Sequence, residues 1–168
     1  MFENSTKMKQ INKKEGFTLI EILVVIGIIA VLAAVVLVAI NPARQFAQAR
    51  NSQRNQNVSA ILDAIGQNMA DNKGLFTCGG VVTTVPPAST TISEAGFNLR
   101  PCIVPDYMSE IPLDPRDGKN TCKSILCDGV NETYDTGYTI FQSSITGNRI
   151  TILASSTELA SPVISVTR

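Results

Sequence analysis

Between Ile22 and Ile40 the chain reads ILVVIGIIAVLAAVVLVAI, nineteen residues without a polar or charged side chain. A helix needs about 20 such residues to cross a bilayer core. One acid, Glu21, sits at the leading edge, after Glu15-Gly16-Phe17-Thr18-Leu19-Ile20. An ionisable group in a membrane segment costs about 2.5–3.5 kcal/mol at the helix centre and less near the interface, so it is usually functional. The run ends at Asn41-Pro42. Pro42 either kinks one continuous helix or opens a second one, with Asn41 as N-cap and Pro42 at the first helical position. Both arrangements produce a bend.

From Ala43 to about Asp71 the pattern is mostly polar but compatible with helix. Val58, Ile61, Leu62, Ile65 and Met69 recur at helical spacing and form one apolar stripe, which predicts docking onto the domain that follows. Before the stripe lies NSQRNQN, residues 51–57, poor in helix formers. It predicts helix only with continuation on both sides or neighbours in an assembly. Arg44, Arg50 and Arg54 meet no acid before Asp63. They read as a solvated helical face, in preference to a site for anionic lipid or for an acidic neighbour. Asn72-Lys73-Gly74 closes the element with a basic residue and then Gly. A bent helix from Phe17 to Asp71 spans about 80 Å at 1.5 Å per residue. Its apolar half has no partner within its own chain.

Beyond Gly74 the pattern shortens. Six of the eight prolines lie between Pro86 and Pro115, which predicts a loop-rich stretch. Val81 to Val85 predicts one short strand. Tyr138 to Phe141 and Arg149 to Leu153, separated by a segment with Thr146-Gly147-Asn148, predict a hairpin. Pro162 to Val166 adds an edge strand. The fold class is therefore α+β, a long N-terminal helix packed on a small antiparallel sheet.

Composition narrows the chemistry. No His occurs, which removes most Ser-His-Asp and Cys-His nucleophile schemes and all His-based zinc sites. Cys78, Cys102, Cys122 and Cys127 all follow the apolar run. An even number reads as two disulfides where such a domain lies outside the cytoplasm. Three pairings are open; the short loop Cys122–Cys127 together with Cys78–Cys102 is favoured. No C-x-x-C pair supports a four-thiolate zinc site.

The Lys-rich leader MFENSTKMKQINKKEG, then Phe-Thr-Leu-Ile-Glu and an apolar helix, resembles the processing site of type IV prepilins and pseudopilins. The resemblance implies cleavage after Gly16 by a prepilin peptidase, methylation of the new amine on Phe17, and survival of the apolar segment in the mature chain. It also implies that Glu21, fifth in that chain, neutralises the terminal amine of a neighbouring subunit during assembly. Thr18 beside it reads equally as a local hydrogen-bonding group and as an ordinary helix-start residue. Removing residues 1–16 takes four lysines and two glutamates from 14 basic and 14 acidic side chains, leaving 10 and 12. That balance gives no electrostatic footprint for nucleic acid.

Tyr107-Met-Ser-Glu-Ile-Pro-Leu-Asp-Pro115 further resembles the Tyr-x-x-x-Ile-Pro-x-Asp-Pro stretch of major pseudopilins, and Gly137-Tyr138-Thr-Ile fits their first C-terminal strand. After Pro115, Arg116-Asp117-Gly118-Lys119-Asn120 stands where those proteins tend to carry Trp-Gly-x-Pro-Tyr. Many major pseudopilins bind calcium nearby, which makes Asp114, Asp117, Asp128 and Asp135 candidate oxygen ligands. No EF-hand spacing is present and solvated turn aspartates are the favoured reading, so no cofactor is expected, with calcium as the alternative.

These readings divide the chain into a cleaved leader (1–16), a membrane and assembly half-helix (17–40), an amphipathic half-helix (41–73) and a β domain (74–168). The function they imply is a non-enzymatic structural subunit of a type IV filament. Its partners would be copies of itself, the peptidase, the inner-membrane platform and ATPase, and lipid before assembly. It would be single-pass in the inner membrane with its C-terminal region outside, then part of a filament. The alternatives are a minor tip subunit binding DNA or a surface ligand, and a signal-anchored protein that does not polymerise.

Overall fold

The computed structural model describes residues 16–121, 133–143, 147–159 and 162–168. The chain divides into two units, Met1–Pro42 and Ala43–Arg168. The first contains helix α1 (Leu19–Ala39), none of whose 21 residues is buried. Ile40 leaves the helix with φ −98° and ψ 115°, although its N–H still donates to the Val36 carbonyl. The pre-proline restriction on helical geometry falls on Asn41, one residue further on, and the next helix, α2, begins at Pro42 itself. The arrangement with two helices, rather than one kinked ladder, is the one observed.

Helix α2 (Pro42–Asp71) runs unbroken through NSQRNQN. Val58, Ile61, Leu62 and Ile65 are buried in the core and Met69 packs at its margin, as the stripe predicts. The helix closes through Asn72 and Gly74, whose N–H groups donate to the Asn68 and Met69 carbonyls. Lys73 and Gly74 both take positive φ there.

Against α2 lies an antiparallel sheet in the order β3 (Thr90–Ser93), β5 (Tyr134–Ser143), β6 (Arg149–Ala154), β7 (Ile164–Thr167), with β4 (Lys119–Asn120) also pairing with β5. The predicted hairpin is β5–β6, paired from Tyr138↔Ala154 to Ser143↔Arg149. Strand β5 starts four residues earlier than expected. Its alternation, with Tyr134, Thr136, Tyr138 and Ile140 buried, is the period-2 pattern of a half-buried strand. The segment read as one strand from Val81 is instead a two-residue strand, β2 (Val81–Val82), returning on β1 (Thr77–Cys78). The loop-rich region also holds β3 and a one-turn helix, α3 (Arg100–Ile103). A disulfide joins Cys78 of β1 to Cys102 of α3, the favoured pairing for these two. Cys122 and Cys127 lie outside the described residues.

Candidate functional site

Two constellations stand out, one in each unit. At the start of α1, Thr18 is the N-cap, with φ −80° and ψ 152°. Its backbone N–H and hydroxyl both donate to Glu21 Oε2 at 2.8 Å, and its Oγ1 accepts the Glu21 N–H at 3.3 Å. This reciprocal capping box satisfies otherwise unpaired helix-start donors, and it places a carboxylate where the helix dipole favours negative charge. Thr18 thus fills both roles open to it in the sequence. Gly16 and Phe17 precede the helix and are exposed, Phe17 at 86%, so the bond between them is accessible.

The second constellation corrects the sequence reading of the arginines. Arg54 is fully buried. Its Nε and Nη2 donate to Asp114 Oδ2 and Oδ1 at 2.6 and 3.1 Å, and its Nη1 donates to Asn51 Oδ1 at 2.9 Å and Glu158 Oε1 at 3.2 Å. Arg50 forms a second fork, Nε and Nη2 donating to Glu158 Oε1 and Oε2 at 2.7 and 2.6 Å. The Asn51 amide holds the backbone of Glu158 from both sides, donating to its carbonyl and accepting its N–H. Arg50 and Arg54 therefore do not form a solvated face. They tie α2 to the Ile111–Asp114 loop and to the β6–β7 connection, as a clasp.

Electrostatics follow from this geometry. The Arg50 fork, with help from Arg54, outweighs desolvation and holds the Glu158 carboxyl down at about 2. Burial pushes Asp114 up, but the Arg54 guanidinium and the N–H groups of Arg116 and Asp117 outweigh it and leave the group below its ordinary value. The Asp114 hydrogen bond raises Arg54 above the usual guanidinium range against desolvation. Charges buried in this way are tolerated only when paired and hydrogen-bonded throughout.

Residues 11–37 match the family model described as the prokaryotic N-terminal methylation motif. The chain carries a prepilin-type methylation motif. No curated protein and no solved structure matches the chain. The motif is a type IV pilin and pseudopilin signature rather than that of an enzyme family. It implies processing by a prepilin peptidase and filament assembly in general, and with α1 it is consistent with a membrane-anchored protein.

The sheet unit lies beyond the matched residues, and there the candidate calcium ligands separate. Asp114 is buried and taken up by Arg54 rather than being a solvated turn aspartate. Asp117 and Asp135 are exposed, with Asp135 Oδ1 accepting the Gly137 N–H at 2.9 Å. Asp128 lies outside the described residues. Among the described residues no three Asp, Glu, Cys or His side chains come together as a metal site.

Sequence reasoning missed Glu158, Asn51, Asn57 and Asn68. Asn57 donates to the Leu113 carbonyl and the Tyr138 hydroxyl, and Asn68 donates to the carbonyls of Thr77 and Cys102. One signal was present: Arg54 lies four residues before Val58, in phase with the apolar stripe.

Proposed function

We propose that the chain is a structural subunit of a type IV filament, cut between Gly16 and Phe17, methylated on the Phe17 amine and polymerised through α1. The observation that carries this reading is a 21-residue apolar helix that buries nothing in its own chain and presents a carboxylate on its first turn. In this reading α1 resides in lipid before assembly and against other copies afterwards. Glu21 then neutralises the new terminal amine of a neighbouring copy, since a buried ammonium and a buried carboxylate each need a partner. The chemistry of processing and assembly belongs to the peptidase, the platform protein and the ATPase. The Cys78–Cys102 disulfide supports an oxidising, extracytoplasmic location for the second unit. A tip subunit that captures DNA through its arginines is disfavoured, because Arg50 and Arg54 are engaged by acids.

The test is the intact mass and N-terminal sequence of the native protein in sheared-surface and membrane fractions. A chain beginning with methylated Phe17 in the sheared fraction is expected for a surface pilus; the same species confined to membranes indicates a pseudopilin or minor subunit. An uncleaved chain beginning at Met1 in both fractions would overturn the filament reading.

A further inference from the structure

One buried side chain of the second unit holds the backbone on both sides of the disulfide. Asn68, near the end of α2, is 2% exposed. Its Oδ1 accepts the Thr77 N–H at 2.9 Å, and its Nδ2 donates to the carbonyls of Thr77 and Cys102 at 2.9 and 3.0 Å. Thr77 immediately precedes Cys78, and Cys78 is bonded to Cys102. A single carboxamide therefore grips both segments that the cross-link joins. These contacts are made by amide and main-chain groups alone, and none involves sulfur.

The gripped groups differ in what it takes to bring them together. Asn68 is fixed where α2 closes, since the Asn72 N–H and Nδ2 both donate to its carbonyl. Thr77 follows nine positions later, a short loop that costs little entropy to close. Cys102 lies 34 positions beyond Asn68. It belongs to a one-turn helix whose last carbonyls have no partner within the helix, and the Asn68 Nδ2 supplies one. Four cysteines permit three sets of pairs. Cys102 is nearer in sequence to Cys122 than to Cys78, so loop closure alone does not select the observed bond.

We infer that Asn68 is a positioning residue that selects the Cys78–Cys102 pair, holding both segments on α2 before their thiols are oxidised. The covalent step uses an oxidant of the thiol–disulfide class. One cysteine thiolate attacks the oxidant's disulfide, releasing one of its sulfurs and leaving a mixed disulfide. The second cysteine thiolate then displaces the other sulfur. The cysteines lose two protons and two electrons in all, which the oxidant carries away as two thiols. Asn68 takes no part in the sulfur chemistry; it raises the frequency with which the second thiolate meets the mixed disulfide. All of these groups lie in the second unit, so the inference is independent of the filament reading.

The test is to reduce the full-length chain in detergent without denaturant, reoxidise it in glutathione buffer, and map disulfides by mass spectrometry of the non-reduced digest. The wild-type chain is expected to recover Cys78–Cys102. In Asn68→Asp the acceptor for the Thr77 N–H survives but both donated bonds are lost. The ratio of Cys78–Cys102 to pairings with Cys122 or Cys127 should then fall about tenfold, the scale of one or two hydrogen bonds. Ile152→Ala controls for stability: it opens a cavity at a fully buried residue of the β5–β6 hairpin and should keep the wild-type ratio. Wild-type pairing in Asn68→Asp, or equal mispairing in Ile152→Ala, would overturn the positioning role. A chain carrying both Cys78→Ser and Cys102→Ser tests the order of events with Asn68 intact. Its Thr77 amide should still exchange hydrogen about a hundredfold or more slowly than in an open chain. Exchange at the open-chain rate would overturn the inference, because the disulfide would then be making the grip.

Discussion

Set side by side, α1 and α2 differ in what they bury. All 21 residues of α1 are exposed, although nearly every one is apolar. Helix α2 buries eight of its 30 residues, and the largest of these is an arginine. Apolar character therefore does not by itself place a side chain inside this fold. In α1 it marks a surface awaiting lipid or other copies, since a helix apolar on every side is stable only when fully surrounded. In α2 a polar stretch becomes interior because each buried donor and acceptor finds a partner. Asn51, Arg54 and Asn57 recur every three residues and face the folded domain, which is how NSQRNQN holds helix despite its poor propensity.

The most severe way to break the contrast is to alter α1 where its surroundings are decided. Gly16→Ala is expected to abolish maturation, read as an intact mass that still includes residues 1–16. Glu21→Ala is expected to leave membrane insertion and the fold of the second unit intact. It should reduce assembled polymer about a hundredfold or more, because an unneutralised buried ammonium costs several kcal/mol. Unaltered polymer yield would show that the carboxylate serves only to cap α1.

The next largest effect belongs to the clasp. Asp114→Ala leaves the Arg54 guanidinium buried without its principal partner, and should destabilise the second unit by about 3–5 kcal/mol in denaturant unfolding. Replacing both groups, Arg54→Met with Asp114→Leu, should recover most of that loss, since well-packed apolar pairs often equal a buried ion pair. A double variant no more stable than the single one would mean that the network is needed for shape and not only for charge.

Acid weakens the clasp more gently. The folded-state Glu158 value is about 2, against an ordinary 4.5, so its stabilisation is complete above pH 4.5. As pH falls from 4.5 towards 2 the unfolded chain takes up a proton that the folded chain does not, and stability declines. Asp114, also lowered, acts with the same sign. Unfolding midpoints should therefore fall across that window, and Glu158→Gln should flatten the fall while lowering stability at neutral pH.

How much of this was legible depends on distance along the chain. The apolar run, the stripe from Val58 to Met69 and the β5–β6 alternation are local patterns, and each appears in the fold at the residues that carry it. The arginines were misread because their acids are remote: Asp114 and Glu158 lie 60 and 104 positions beyond Arg54, whereas a local search for partners reaches only Asp63. Periodicity reports which face turns inward, and Arg54 is on that face; it cannot say what meets it there. Strand β3 and helix α3 were missed for a related reason. Each has at most four residues amid prolines, and each is held by partners distant in sequence. Thr90, for example, pairs with Ile140.

The finest test applies one small change to both helices. Gly66 is exposed on α2 with open space around its Cα, so Gly66→Ala should stabilise the second unit by about 0.5–1 kcal/mol through helix propensity, a shift of a few degrees in Tm. Gly27 in α1 has equally open surroundings. There the same substitution should leave the unfolding of the second unit unmoved. In lipid the backbone of α1 has no hydrated coil to compete with its helix, because every N–H and C=O must be satisfied internally. The propensity gain comes from that competition and has nothing to act on in α1. Thermal melts of the full chain in detergent, followed by far-UV circular dichroism, would read both variants. Equal shifts from Gly27→Ala and Gly66→Ala would mean that the two helices share one unfolding equilibrium, and that the contrast between them ends at their surfaces.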